Sequence, residues 1–218
     1  MNRLVNIVLP SDYDPTRSYP LVIGFHGAMN MEKVSIEPQE TFTNLGGSDV
    51  QDWVDEFQFI AASPAGFNNA DGNPGFIMGW NSFPGHRISK ADDVRFTIDL
   101  IAFIEDTACI DTSRVFATGH SSGAIFTYKL ATSTDRFRAI APTAGLLVHN
   151  RIELAPDQHP ISILEVHGSE DIPVPYSGGG GVPTEQFYSV AETMSAFSNL
   201  NGCEPYAKSM PSEEEFLQ

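Results

Sequence analysis

One pentapeptide constrains this chain more than any other feature: Gly119-His120-Ser121-Ser122-Gly123, placed directly behind the apolar run 114–118 (Arg-Val-Phe-Ala-Thr). The run is rich in β-branched and aromatic residues and reads as a buried strand, while 122–131 reads as a helix. A strand turning into a helix across one serine leaves no room for side chains on either flank. That is the reason for a glycine two residues before and two residues after. Such a turn lifts the serine hydroxyl above the sheet edge and places the Ser122 N–H at a helix N-terminus, where it can donate to a developing oxyanion. Ser121 is therefore the expected nucleophile and Ser122 an expected oxyanion donor.

The rest of the chain supplies a frame for that turn. Buried strands are expected at 21–25, 57–62, 114–118, 139–142 and 161–166, and helices at 122–131, 185–197 and behind Asp92 and Asp93. There the apolar residues Val94, Ile98, Ile101 and Ile104 recur at helical spacing behind two good N-cap residues. Strands alternating with helices specify a mostly parallel central sheet flanked by helices. No repeat or linker divides the 218 residues, and 41% hydrophobic content supports a single domain spanning 1–218. The stretch 67–89, rich in Gly, Pro and Asn, has no periodicity and reads as a long functional loop. Gly178 to Gly181 lacks the Lys-Ser/Thr of a phosphate loop and reads as a flexible turn. The acidic residues 210–218 are expected to fray.

Charge narrows the partners. Against 28 acidic residues stand 12 basic ones, a formal charge of -16, which argues against nucleic acid and anionic membrane surfaces. No apolar run approaches the ~18–20 residues that cross a bilayer. The first residues carry no signal-peptide pattern. Cys109 and Cys203 are the two cysteines. They form no metal-binding spacing, and unrelated thiols or one disulfide both fit. No metal or cofactor is expected.

Two further elements complete a serine-nucleophile site. A second oxyanion donor should follow the first central strand, where His26-Gly27-Ala28-Met29 lies, and the Ala28 backbone N–H is the candidate, with Met29 beside it. A carboxylate should follow a later strand to orient an imidazolium. Val166-His167-Gly168-Ser169-Glu170-Asp171 has that form.

With these residues placed, the chain resembles the feruloyl esterase and polyhydroxybutyrate-depolymerase-like group, carbohydrate esterase family 1, of the α/β-hydrolase superfamily. The resemblance rests on Pro20-Leu-Val-Ile-Gly-Phe-His-Gly27, Asp92-Asp-Val94 and Ile110-Asp-Thr-Ser-Arg-Val-Phe-Ala-Thr-Gly-His-Ser-Ser-Gly123. It continues through Ala139-Ile-Ala-Pro-Thr-Ala-Gly145, His167-Gly-Ser-Glu-Asp-Ile-Pro-Val-Pro-Tyr176 and Asn201-Gly-Cys203. It implies an α/β-hydrolase fold, Ser121 as nucleophile and Asp171, rather than Glu170, as the triad acid. Met29, Trp80 and Tyr176 are the residues expected at the substrate, with Trp80 equally readable as a buried loop anchor. The implied substrate is a hydroxycinnamoyl ester on plant polysaccharide, or a small aromatic ester. Acetyl-xylan or polyester hydrolysis, or ester binding without catalysis, are the alternatives. The implied location is secreted or periplasmic, with a cytoplasmic one also open.

One departure stands out. The family's histidine follows its acid, within a further strand and loop, whereas no histidine follows Asp171. The expectation is a fold lacking the last strand and histidine loop, in a C-terminally incomplete chain. His120, His149, His159 and His167 are weak substitutes as general base.

Overall fold

The computed structural model describes residues 3–30, 50–68, 77–83, 91–151, 159–181 and 185–203. Its centre is a six-stranded sheet in the order β1-β4-β2-β7-β8-β9. The strands are β1 (Val5–Val8), β2 (Tyr19–Phe25), β4 (Ile60–Pro64), β7 (Ile110–His120), β8 (Ala139–Thr143) and β9 (Ser162–Ile163). Only β1 runs antiparallel, against β4; the pairs β2/β4, β2/β7, β7/β8 and β8/β9 are parallel.

Side chains alternate across each strand, so the sheet has two apolar faces. Tyr19, Leu21, Ile23 and Phe25 of β2 are buried on one face, together with Val115 and Ala117 of β7. That face is covered by α2 (Asp93–Thr107), α3 (Ser122–Ala131) and α4 (Val190–Leu200), which contribute Leu100, Ile101, Ile104, Phe126, Tyr128 and Phe197 to one core. Opposite, α1 (Val50–Phe57) packs Val50 and Val54 on Ala61, with Val22 and Trp53 at the margin.

Several boundaries differ from the sequence expectation, each for a local reason. Residue 57 ends a helix instead of opening a strand, because Val50, Trp53 and Val54 share one helical face. Gln58 then turns the chain with φ 53°, and β4 begins at Ile60. The expected helix 185–197 starts later, at Val190, where Ser189 and Glu192 form a reciprocal capping box. The residues before it, β11 (Gln186–Phe187), pair with β10 (Gly179–Gly180), so part of the glycine run is a strand. Part of the expected loop 67–89 is also ordered into a small antiparallel sheet. There β6 (Ile77–Gly79) lies between β3 (Met29–Asn30) and β5 (Phe67–Asn68). Residues 69–76 and 84–89 of that loop and the 210–218 tail lie outside the described residues.

Of the acidic pair before α2, Asp92 caps the helix by accepting from the Arg95 N–H at 2.9 Å. Asp93 does something else. It is buried, pairs with Arg3 at 2.5 Å, and accepts the Asn81 N–H at 2.6 Å. The two cysteines are not bonded to each other: the Cys109 thiol donates to the Pro15 carbonyl at 2.7 Å, and Cys203 is exposed.

Candidate active site

The C-terminal ends of the parallel strands stand side by side, which is where open α/β sheets bind ligands. Phe25 is in register with Gly119, and His120 with Thr143. Thr143 bridges to Val166, the Ser121 N–H donates to the Thr143 carbonyl at 2.9 Å, and the Ala144 N–H to Val166 at 2.9 Å. His26-Gly27, Ser121 and His167-Gly168 thus leave adjacent or near-adjacent strands at one edge.

Ser121 has φ 51° and ψ -116°, a backbone state that costs a non-glycine residue about 1–3 kcal/mol. Its flanks explain how the turn is held. A Cβ at Gly119 would lie 2.5 Å from the Gly123 backbone, and one at Gly123 would lie 2.0 Å from the Phe25 carbonyl oxygen. Helix and strands therefore touch backbone to backbone around the serine. Gly145 adds to this from the next strand: a Cβ there would sit 2.5 Å from Ala124 Cβ and 3.0 Å from the Ser121 carbonyl. Sequence reasoning gave Gly145 no role in the turn; its only trace was its place after a strand.

Ser122 is buried as the first residue of α3, so its N–H lies in the first turn, where helical amides lack carbonyl partners and the dipole is positive. Ala28 is exposed, one residue before β3. The loop between is tightly held. The Gly66 N–H donates to His26 Nε2 at 2.8 Å, so Nε2 is unprotonated and Nδ1 carries the hydrogen, which it donates to the Gly27 carbonyl at 2.6 Å. His26 is thereby a loop-holding residue. Met29 opens β3, beside the site in sequence.

Trp80 occupies the loop-anchor position and does not line an open surface. It is fully buried, stacks on Phe126 at 5.3 Å, meets Phe25 edge-on at 5.0 Å, and donates its indole N–H to the His26 carbonyl at 2.8 Å. An amphipathic ring buried with its N–H satisfied is an anchor. Tyr176, by contrast, is 44% exposed, with its ring 6.0 Å from that of His167.

The loop after β9 carries the carboxylates. Asp171 Oδ1 accepts the Val174 N–H at 3.0 Å, and its Oδ2 is 3.6 Å from His167 Nε2. Glu170 is exposed. Glu165, which sequence reasoning passed over, is buried: it accepts from the Tyr128 hydroxyl at 2.6 Å and lies 2.9 Å from His167 Nδ1. Burial raises its carboxyl above the ordinary value, against the pull of the Tyr128 and His167 bonds. An alternating strand pattern could have pointed to it, since a carboxylate at an inward position demands partners.

Histidine placement is informative. Both ring nitrogens of His26 are engaged as described, those of His167 face Glu165 and, at 2.8 Å, the Val174 carbonyl, and the His149 ring lies on Tyr188 at 3.6 Å. Among the described residues, no imidazole is hydrogen-bonded to Ser121 Oγ. His86 lies outside them. No group of three or more His, Cys, Asp or Glu side chains among the described residues is disposed to hold a metal ion. No helix among them is long and apolar enough to cross a membrane.

A mostly parallel sheet with this strand order and a serine at positive φ in a strand-to-helix turn at its edge defines the α/β-hydrolase fold. Solved structures agree on the fold. An acetyl xylan esterase from Aspergillus awamori superposes with a TM-score of 0.61 at 16% identity, covering 96% of this chain and 78% of that one. A Bacillus cereus carboxylesterase superposes with a TM-score of 0.54 at 16% identity, covering 91% of this chain and 81% of that one. In sequence the chain is similar to feruloyl esterases. It is 27% identical over 216 residues to a probable feruloyl esterase C of Aspergillus niger, covering 96% of this chain and 66% of that protein. With the feruloyl esterase C of Emericella nidulans it shares 28% over 204 residues, covering 90% and 61%. The chain thus spans a little under two thirds of the length of these relatives. No family model matches the sequence.

Proposed function

We propose that this protein is a serine carboxylic-ester hydrolase acting on hydroxycinnamoyl esters of plant polysaccharides or on small aromatic esters. The observation that carries the proposal is Ser121 at φ 51°, wedged between two glycine contacts at the sheet edge. In this reading Ser121 Oγ attacks the ester carbonyl carbon and passes its proton to a histidine general base. The Ser122 and Ala28 amides receive the oxyanion. Collapse of the tetrahedral intermediate breaks the C–O bond, and the imidazolium protonates the departing alkoxide. Water then repeats the sequence on the acyl-enzyme, releasing the acid and restoring Ser121. Asp171 holds the imidazolium. Met29 and Tyr176 flank the substrate, and 1–218 acts as one catalytic domain. The relatives' names support a feruloyl substrate, and a polysaccharide ester implies action outside the cell.

The test is labelling by a fluorophosphonate together with hydrolysis of methyl ferulate, p-nitrophenyl acetate and polyhydroxybutyrate. We expect labelling that Ser121→Ala abolishes, and turnover highest on methyl ferulate. Labelling elsewhere, or none with no turnover on any of the three, would sink the proposal; acetate or polyester as the best substrate would redirect it within the esterases.

A further inference from the structure

A line of buried side chains runs from α3 to the acid loop, and the chemistry described so far leaves it without a purpose. Tyr128 on α3 is fully buried and donates to Glu165 Oε2 at 2.6 Å. Glu165 Oε1 is 2.9 Å from His167 Nδ1, and His167 Nε2 is 2.8 Å from the Val174 carbonyl. The Glu165 and His167 side chains are only 3% and 1% exposed.

The hydrogens on this line follow from its acceptors. A carbonyl can only accept, so Nε2 carries a hydrogen. One more proton is shared between Nδ1 and Glu165, and the pair is net neutral whichever of them holds it. Neutrality with every partner in place is what allows such a pair to be buried. The phenol stays protonated, since burial and the neighbouring Glu165 push its ionisation well above the ordinary range. With both nitrogens occupied, His167 has no lone pair to offer a serine hydroxyl. It is not a general base.

What the line does end on is Val174. That residue is buried, and its peptide groups are held from two sides: the carbonyl by His167 and the N–H by Asp171 Oδ1 at 3.0 Å. The Asp171 N–H in turn donates to the Gly168 carbonyl at 3.2 Å. The loop 168–174 is closed on itself, and His167 ties its backbone to the body while the Val174 side chain packs in the core.

We infer that His167, fixed by Glu165 and Tyr128, is a positioning residue that holds the Val174 peptide and through it the Asp171 carboxylate. The inference rests on the reading of Asp171 as the acid of an ester hydrolase. His167 touches no reacting atom; Asp171 Oδ2, at 3.6 Å from Nε2, is beyond hydrogen-bond distance, so the link runs through Val174.

The two amide substitutions separate the two ends of the imidazole. Gln places an amide nitrogen near the position of Nε2, and Asn places one near Nδ1. In the full chain, His167→Gln should keep the Val174 amide exchange rate and the kcat on p-nitrophenyl acetate within about threefold. His167→Asn should speed Val174 exchange and lower kcat by about tenfold or more, with KM within about threefold. Equal effects of the two substitutions, or a loss confined to KM, would overturn the inference. If His167→Asn does not fold, Tyr128→Phe should speed Val174 exchange by about two- to fivefold, and no change there counts against it. Ring nitrogen spectra of the wild type should show Nε2 protonated at neutral pH; an unprotonated Nε2 overturns the scheme. A wild type that neither hydrolyses esters nor labels at Ser121 would defeat the esterase reading. The exchange and ring-nitrogen results would still decide whether His167 holds the loop.

Discussion

The serine elbow and the acid loop sit at the same sheet edge but are built by opposite means. Around Ser121 the geometry comes from missing side chains: Gly119 and Gly123 let backbones meet at distances a Cβ would forbid. Around Asp171 it comes from side chains that are present, with Tyr128, Glu165 and His167 joined in series to the Val174 peptide. The first region tolerates no added atom. The second tolerates additions in its loop but no loss of a partner. The glycine pattern behind the first is written within five residues, although its tightest contact is with Phe25; the hydrogen-bonded series draws on residues 37 apart in the chain.

This contrast can be broken most forcefully at Gly123. Gly123→Ala puts a Cβ 2.0 Å from the Phe25 carbonyl oxygen. We expect a loss of about 3 kcal/mol, read as a fall of ~6–12 °C in Tm by calorimetry. A variant as stable as the parent would mean that the elbow yields readily.

A smaller, pH-dependent effect is expected at Glu165. Burial makes this carboxyl hold its proton more tightly in the folded chain than unfolded, where 4.5 is its ordinary value. A group of that kind withdraws stability as the pH rises through the interval between the two values. The stability of the parent relative to Glu165→Gln should therefore fall as the pH rises above 4.5. Urea unfolding across that range measures it, and a rising difference would show that the His167 and Tyr128 bonds outweigh burial.

The smallest effect belongs to Gly168 in the acid loop, where an added Cβ meets nothing within 4 Å. Gly168→Ala should change stability by no more than about 0.5 kcal/mol in the same unfolding measurement. A large loss would place unrecognised packing over that loop.

The same contrast explains what could be read from the sequence. The strand-elbow-helix unit, the parallel frame and the α3 boundaries followed from local patterns, because apolar periodicity and tight-turn glycines act over a few residues. The capping of α2 by Asp92 was equally legible. Its neighbour was not: Asp93 is buried because Arg3, ninety positions earlier in the fold's first turn of chain, comes to meet it, and no local signal announces such a pairing. Trp80 illustrates the same limit. Its ring could belong to a ligand or to the core, and only the neighbours Phe25, Phe126 and His26, brought in by tertiary folding, decide for the core. The short β3-β6-β5 sheet escaped notice because strands of two or three residues are too brief for a period to register.

The His26 bond to the Gly27 carbonyl has a consequence for the neighbouring amide. Carbonyl and N–H of one trans peptide point in opposite directions, and the described chain has no cis peptide. Pinning the Gly27 oxygen therefore fixes the heading of the Ala28 N–H as well. Rotating that plane would strip the imidazole of its acceptor, while the Gly66 amide keeps the ring from following. If Ala28 and Ser122 form the oxyanion hole proposed above, the Ala28 donor is held in one direction before any substrate arrives, and the free energy of binding need not be spent on turning a peptide over.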